Sequence, residues 1–267
     1  MDLTIDSLKI GSRLVFGKYG VHNDSPEPIV WLKATPNCDF ISERVLDYLC
    51  FDAREPTAES RLEQYNGNPR FSLSNIFSFL NSEAEQWFSP SHPADCPPDR
   101  RYSGVRSSEY ATHYGFLYHF EEYETESLVR TRTELEGESI TSLIRLPQEE
   151  DVTGLNRFKL FSKKGIRPKG INDMLSNRGV NFTFESYIPF WLTNRDRDVY
   201  VKTISRNGGI DYMPPCEPCG IRPICSIKPD TVVMPVDGDM FIVKPYAVAQ
   251  NICTDAEFLD FLGLARP

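Results

Sequence analysis

The chain has 267 residues, 29 Lys and Arg against 38 Asp and Glu, and a formal net charge of -9 with a pI near 5.1. Its hydrophobic fraction of 40% and aromatic fraction of 12% supply the core that a disordered chain lacks, in a length suited to one large domain or two small ones. The acidic balance argues against broad nucleic-acid binding, no apolar run approaches the roughly 20 residues of a membrane span, and residues 1–6 lack the basic and apolar regions of a secretion signal.

In chain order, Arg13-Leu14-Val15-Phe16-Gly17 and Pro28-Ile29-Val30-Trp31-Leu32 are short apolar runs that predict strands. Loop chemistry at Val21-His22-Asn23-Asp24-Ser25-Pro26 joins them. Residues 40–50 place Ile41, Val45, Leu46 and Leu49 at a spacing that fits a strand or a helical turn. Ile76, Phe77, Phe79 and Leu80 form a helical stripe. Ser82 with Glu85 has capping-box spacing and predicts a second short helix carrying Trp87 and Phe88. Pro90, Pro93, Pro97 and Pro98 stop helix and sheet alike, so residues 89–98 read as a linker.

Tyr114-Gly115-Phe116-Leu117-Tyr118-His119-Phe120 reads as an aromatic strand with Tyr114, Phe116, Tyr118 and Phe120 on one face. From 128 to 146, period-two alternation on either side of Gly137 predicts an antiparallel hairpin with one wet face. Residues 156–161 predict a strand and 171–177 a short helix. Phe190-Trp191-Leu192-Thr193 and residues 198–204 predict strands, the second turning at Asn207-Gly208 into Ile210-Asp211-Tyr212. Residues 220–227 predict one further strand and 232–243 a hairpin around Asp237-Gly238. Thr254-Asp255-Ala256-Glu257 has the form of a capping box opening a last helix. The fold class is α+β, mostly antiparallel strands with short helices.

Charge is concentrated. Residues 121–151 hold ten acids against three bases, a balance of -7, which leaves only -2 for the remaining 236 residues. Such a segment is either a solvated, β-rich excursion or a docking surface for a basic partner. The seven cysteines, in a chain that opens without a signal peptide, predict free thiols.

Candidate chemistry is sparse. Cys216-Glu217-Pro218-Cys219 followed by Cys225 offers three zinc ligands of the four a structural site needs, or a redox pair, and is explained more simply by structural thiols in a Pro-rich turn. His119 with Glu121 and Glu122 is the best acid/base grouping among the four histidines, and packing explains the same histidine. Asp237-Gly238-Asp239 would bind a hard cation or simply form a turn. The segments around Gly17-Lys18-Tyr19-Gly20 and Lys164-Gly165 lack phosphate-loop spacing, and no cofactor is implied. Tyr110, Tyr114, Tyr118 and Tyr123 crowd one stretch and suit either a recognition surface or core.

Several stretches together resemble a known family. They are Gly11 to Tyr19 (GSRLVFGKY), Glu27 to Trp31 (EPIVW), Ile41 to Phe51 (ISERVLDYLCF), the helix ending Leu80-Asn81, and Phe158-Lys159-Leu160-Phe161-Ser162. Later come Trp191-Leu192-Thr193-Asn194-Arg195, Tyr200-Val201, Asn207-Gly208-Gly209-Ile210 and Gly220-Ile221-Arg222-Pro223-Ile224. In order and spacing the set resembles domain of unknown function 6273, common in phages and gut-type Gram-positive bacteria. Thr193-Asn194 departs from that pattern, which has Arg-Ser there. The resemblance implies a family-like domain over 1–227 with an acidic, β-rich insertion at about 100–151, and residues 228–267 as a hairpin-and-helix extension. The closing Trp and Gly-x-Arg-Pro layout is similar, by analogy, to C-type-lectin-like folds. There Trp191, Arg195 and Arg222 would lock the closing strands, and the first two join the tyrosines as candidate binding residues.

These readings converge on a non-enzymatic phage or prophage protein: a virion component, an attachment protein or a ligand-binding module. Its partners would be other virion or host proteins, or a cell-surface glycan, with self-association on the particle. It would be made in the host cytoplasm and then join the virion. The alternatives are a hydrolase acting on a surface glycan or peptide, and an intracellular protein that binds a host factor through the acidic segment.

Overall fold

A computed structural model describes residues 2–20, 26–87, 113–153, 189–196, 199–205, 208–245 and 254–261. The linker, strand and helix expected at 89–98, 156–161 and 171–177 lie outside them, as do Tyr110, Phe158 to Ser162 and Asn207. The architecture is α+β, dominated by antiparallel strands with a few short helices, as the alternation implied.

Fifteen strands are described: β1 Leu3–Thr4, β2 Arg13–Tyr19, β3 Glu27–Lys33, β4 Asp39–Ser42, β5 Asp47–Cys50, β6 Thr131–Leu135, β7 Glu138–Ser142 and β8 Ile144–Arg145 come first. There follow β9 Phe190–Asp196, β10 Tyr200–Ile204, β11 Ile210–Met213, β12 Pro218–Ile221, β13 Ile224–Ser226, β14 Val232–Asp237 and β15 Met240–Val243. The helices are α1 Arg61–Asn66, α2 Asn75–Leu80, α3 Glu122–Ser127, α4 Glu149–Thr153 and α5 Asp255–Phe261. The larger sheet runs β1-β14-β15-β2-β3-β4-β13-β8, the smaller β11-β10-β9-β12-β5, and β6-β7 form a separate ribbon. One buried cluster, including Phe16, Trp31, Phe190, Trp191 and Val201, joins residues of both sheets. The C-terminal hairpin β14-β15 lies between β1 and β2, with β15 parallel to β2, so residues after 227 supply two interior strands of the larger sheet.

The ambiguous stretch at 40–50 resolves into β4 and β5, which belong to different sheets. The single strand expected over 220–227 is likewise two, β12 in the smaller sheet and β13 in the larger. Pro223 has no N–H to continue a ladder, and the chain changes sheets at Arg222-Pro223. Because β4 pairs with β13 and β5 with β12, one antiparallel ribbon bends from sheet to sheet at residues 43–46 and 222–223. Leu46 N–H donates to Ile221 O and Ser42 N–H to Pro223 O across the bend.

Arg222 holds that bend. Its guanidinium is buried, donates to the carbonyls of Ser42 (2.8 Å) and Glu43 (3.2 Å), and lies 5.7 Å from the Phe190 ring centroid. Burial lowers its pKa to about 10, opposed by the nearby Glu43 charge, and it stays a cation at neutral pH. Gly220 is required beside it: a Cβ there would lie 2.5 Å from Pro189 O and 2.8 Å from Val45 Cγ1.

Two expectations fail locally. Residues 82–87 form bends and no helix, because Ser82 Oγ accepts from Ala84 N–H while Ser82 O and Ala84 O accept from Leu117 and Gly115 N–H. Residues 115–120 form successive turns (Tyr118 N–H to Gly115 O, Phe120 N–H to Leu117 O), so the aromatic residues do not share a strand face. The hairpin predicted around Gly137 is present as β6-β7, and the Thr254/Glu257 capping box opens α5 as its spacing implied.

Replacing Arg222 with Ala should cost about 3 kcal/mol or more, since two buried carbonyls lose a charged donor. Arg222→Lys should recover only part of this, because a point charge cannot reproduce a planar fork. Urea unfolding midpoints measure both effects; equal stability of all three proteins would disprove the clamp.

Candidate functional site

The turns at 115–120 divide the aromatic stretch in two. Phe116 and Phe120 enter the core, and the Phe120 ring occupies the place where a Cβ on Gly17 would lie. Gly17 sits at φ +67 beside a register shift in the β2-β3 ladder, so the backbone and the ring can meet there. Tyr114, Tyr118 and His119 face outward as a cluster. Ring centroids lie 4.4 Å apart for Tyr114 and Tyr118, 4.9 Å for Tyr118 and His119, and 6.0 Å for Tyr114 and His119.

Tyr118 is 39% exposed, whereas Tyr114 and His119 are half-buried. Nε2 of His119 is buried and has no hydrogen-bond partner among the described residues. Burial, reinforced by Lys18, lowers the imidazole pKa, which favours the neutral ring. His119 makes no ion pair with Glu121 or Glu122 among the described residues; Glu121 lies 3.7 Å from Lys18 Nζ instead. Tyr123 points elsewhere, half-buried with its ring edge-on to Phe258 at 6.5 Å. Burial raises its phenol pKa, and Glu124 and Glu121 add to the shift.

Trp191 and Arg195 are committed to the scaffold. Trp191 is fully buried, its indole N–H donating to Leu49 O at 2.8 Å. Arg195 gives its backbone N–H and its Nε to the two oxygens of Glu136. The cysteines do not converge either. Cys216 Sγ lies 3.7 Å from Tyr65 O, Cys219 stands opposite Leu49 in the smaller sheet, and Cys225 stands opposite Phe40 in the larger one. All are free thiols, and burial raises the pKa of each. Asp237-Gly238-Asp239 forms the β14-β15 turn, with Gly238 at φ +55. Among the described residues no group of three or more His, Cys, Asp or Glu is placed to hold a metal ion, and no helix is long and apolar enough to cross a membrane.

The acidic segment turns out to be paired within the chain. Six of its ten carboxylates meet cations of this protein: Glu121 with Lys18, Glu134 with Arg132, Glu136 with Arg195, Glu138 with Arg70, Glu149 with Lys202 and Asp151 with Arg145. Glu138 also accepts from Ser72 Oγ at 2.9 Å. Burial works against the Glu138 anion, yet Ser72 and Arg70 bring its carboxyl below the usual range, while the Glu149 hydrogen bond raises Lys202. The segment is also less purely β than expected, since α3 and α4 flank the ribbon. Glu124, buried in α3, accepts from the N–H groups of Gly17 (2.8 Å) and Glu121 (2.9 Å).

Sequence reasoning missed the buried network around Asp47. Tyr19 Oη donates to Asp47 Oδ2, and His113 Nε2 lies 3.5 Å from the same oxygen. Burial first, then the Asp47 charge, pushes the Tyr19 phenol pKa well up. These are the residue types of a proton relay, but all three are buried and they join β2, β5 and the segment leading into the aromatic turns. An aspartate inside the apolar run Val45-Leu46-Asp47-Tyr48-Leu49 was the available signal.

Compared with protein-family models, curated proteins and solved structures, the chain matches none. The geometry therefore speaks alone: an outward aromatic cluster with an unsatisfied imidazole nitrogen and, separately, a ribbon whose carboxylates are paired within the chain.

Two measurements check this account. A double-mutant cycle on Glu136→Gln and Arg195→Ala should give a coupling of about 0.5 to 1 kcal/mol that shrinks at high salt, as for a half-exposed pair. Burial raises the Glu124 carboxyl, and its two amide donors offset this only in part. That contribution is complete below the ordinary glutamate range and is lost as pH climbs through the raised value. The stability of the wild type relative to Glu124→Gln should thus fall as pH rises from the ordinary glutamate range through that raised value. A difference that grows with pH would reverse the assignment.

Proposed function

We propose that the protein is a non-enzymatic phage or prophage component that recognises a partner protein in or on the particle. The observation that carries this reading is the Tyr114, Tyr118 and His119 cluster, in which tilted and edge-on rings pack together around a buried nitrogen without a partner, with Tyr118 exposed. Rings of this kind bury large area at small entropic cost when a partner covers them. The assignment to phage is supported by the sequence resemblance to domain of unknown function 6273. The contact is placed on the aromatic cluster because the acidic segment has most of its carboxylates engaged within the chain.

Quantitative mass spectrometry of purified particles should find the protein at a fixed copy number. Tyr118→Ala should lower its incorporation or the particle's adsorption about tenfold, the equivalent of about 1.4 kcal/mol, without changing the melting temperature of the purified chain. Absence from particles would overturn the proposal, and so would full function of the variant.

A further inference from the structure

A second surface has the form of a ligand site. Between the outer strand of the ribbon, β6, and the larger sheet lies an open cleft of about 460 Å³, within the usual size of small-molecule sites. Its walls come from β6, the β3-β4 turn and the segment that follows β13. That segment is stitched to the ribbon's base, where Val129 N–H donates to Ser226 O and Lys228 N–H to Ser127 O, both at 2.9 Å. The cleft is therefore bounded by hydrogen-bonded backbone on two sides.

The chemistry of the lining restricts the occupant. Its charged groups are already matched. Asp39 accepts from the hydroxyls of Thr35 (2.7 Å) and Ser226 (2.5 Å). Arg145 holds Asp151 through two nitrogens at 2.5 and 3.3 Å, and Arg132 holds Glu134 at 2.9 Å. With Arg132 and Arg145 set against Asp39 and Glu134, the lining has no net formal charge to favour an anion or a cation. Beside these charges stand neutral polar groups with capacity to spare. Thr133 Oγ1 and the Asn37 side-chain amide make no hydrogen bond among the described residues, and those of Thr131 (3.5 Å) and Gln148 (3.4 Å) are long. Val129, Ile227 and Pro229 add apolar surface to the same lining.

Neutral donors and acceptors on a partly apolar cleft match a ligand that carries many hydroxyls, no charge and C–H faces. We infer that this cleft binds a neutral saccharide. Thr133, Asn37 and Gln148 would bond its hydroxyls, and Val129 with Ile227 would pack against its ring. The inference stands on a different surface from the Tyr114, Tyr118 and His119 cluster, so each can fail without the other.

The test titrates the full chain with maltose, lactose and N,N′-diacetylchitobiose, followed by saturation-transfer NMR and calorimetry, with glucuronate and glucosamine as charged probes. At least one neutral disaccharide should bind and both charged monosaccharides bind more weakly, with little dependence on salt. Thr133→Val keeps the shape and suits a strand but removes the hydroxyl, and it should weaken binding about tenfold; Asn37→Ala, on an exposed turn, should act in the same direction. Both variants should keep the wild-type melting temperature, and Tyr118→Ala should bind the sugar normally. The inference is overturned if none of the three disaccharides binds, if binding survives both cleft substitutions unchanged, or if a charged probe binds more tightly.

Discussion

The structure depends on one bent ribbon. Strands β4 and β5 run side by side with β13 and β12, and all four cross between sheets at the same place. A crossing leaves backbone carbonyls pointing away from any ladder, and in a buried position each needs a donor. Arg222 supplies donors to two carbonyls and stacks on Phe190, while Gly220 lets the chain pass against Pro189 and Val45. Remove either condition and the two sheets lose their common ribbon, and with it the geometry that buries Trp31 and Trp191 in one cluster.

A second closure comes from the acidic ribbon. Its tip reaches β9 through Glu136 and Arg195 and the 70–72 turn through Glu138, Arg70 and Ser72. Its base is tied by Asn81, whose amide donates to Phe77 O and Ile144 O and whose oxygen accepts from the N–H groups of Leu143 and Ile144. A saturated side-chain amide of this kind fixes the end of α2 against β8, where unpaired groups would be costly. Single half-exposed ion pairs contribute little, so the ribbon is placed mainly by the amide and the buried Leu135 and Ile140.

The fold was legible wherever periodicity and turn chemistry agreed. The β6-β7 hairpin, the β14-β15 hairpin and the capped α5 follow from alternation, Asp237-Gly238 and Thr254/Glu257. Residues 114–120 misled because aromatic alternation over so short a stretch fits a strand and a pair of turns equally well, and the backbone of Ser82 and Ala84 decided between them. The division at Arg222-Pro223 was hidden for another reason. Both halves are apolar and β-branched, and only pairing with β4 and β5 shows that they belong to different sheets. At the candidate site, the tyrosine pattern left recognition surface and core both open, and the structure places Tyr118 at 39% exposure and Tyr114 half-buried. His119's unsatisfied nitrogen was not legible, since burial of a single ring atom leaves no mark in the residue pattern.

Five residues spread along the chain have a common physical role. Gly17 admits the Phe120 ring, Asn81 joins α2 to β8, Trp191 bonds the Leu49 carbonyl, and Gly220 with Arg222 makes the bend. Each satisfies a backbone group or permits a close approach; none faces the aromatic cluster's open side or lines the cleft. A chain that kept them would keep this architecture and be free to change what it binds, because a fold does not dictate a ligand. Tyr118, His119, Thr133 and Asn37 lie outside these scaffold contacts, and the proposed recognition rests on them.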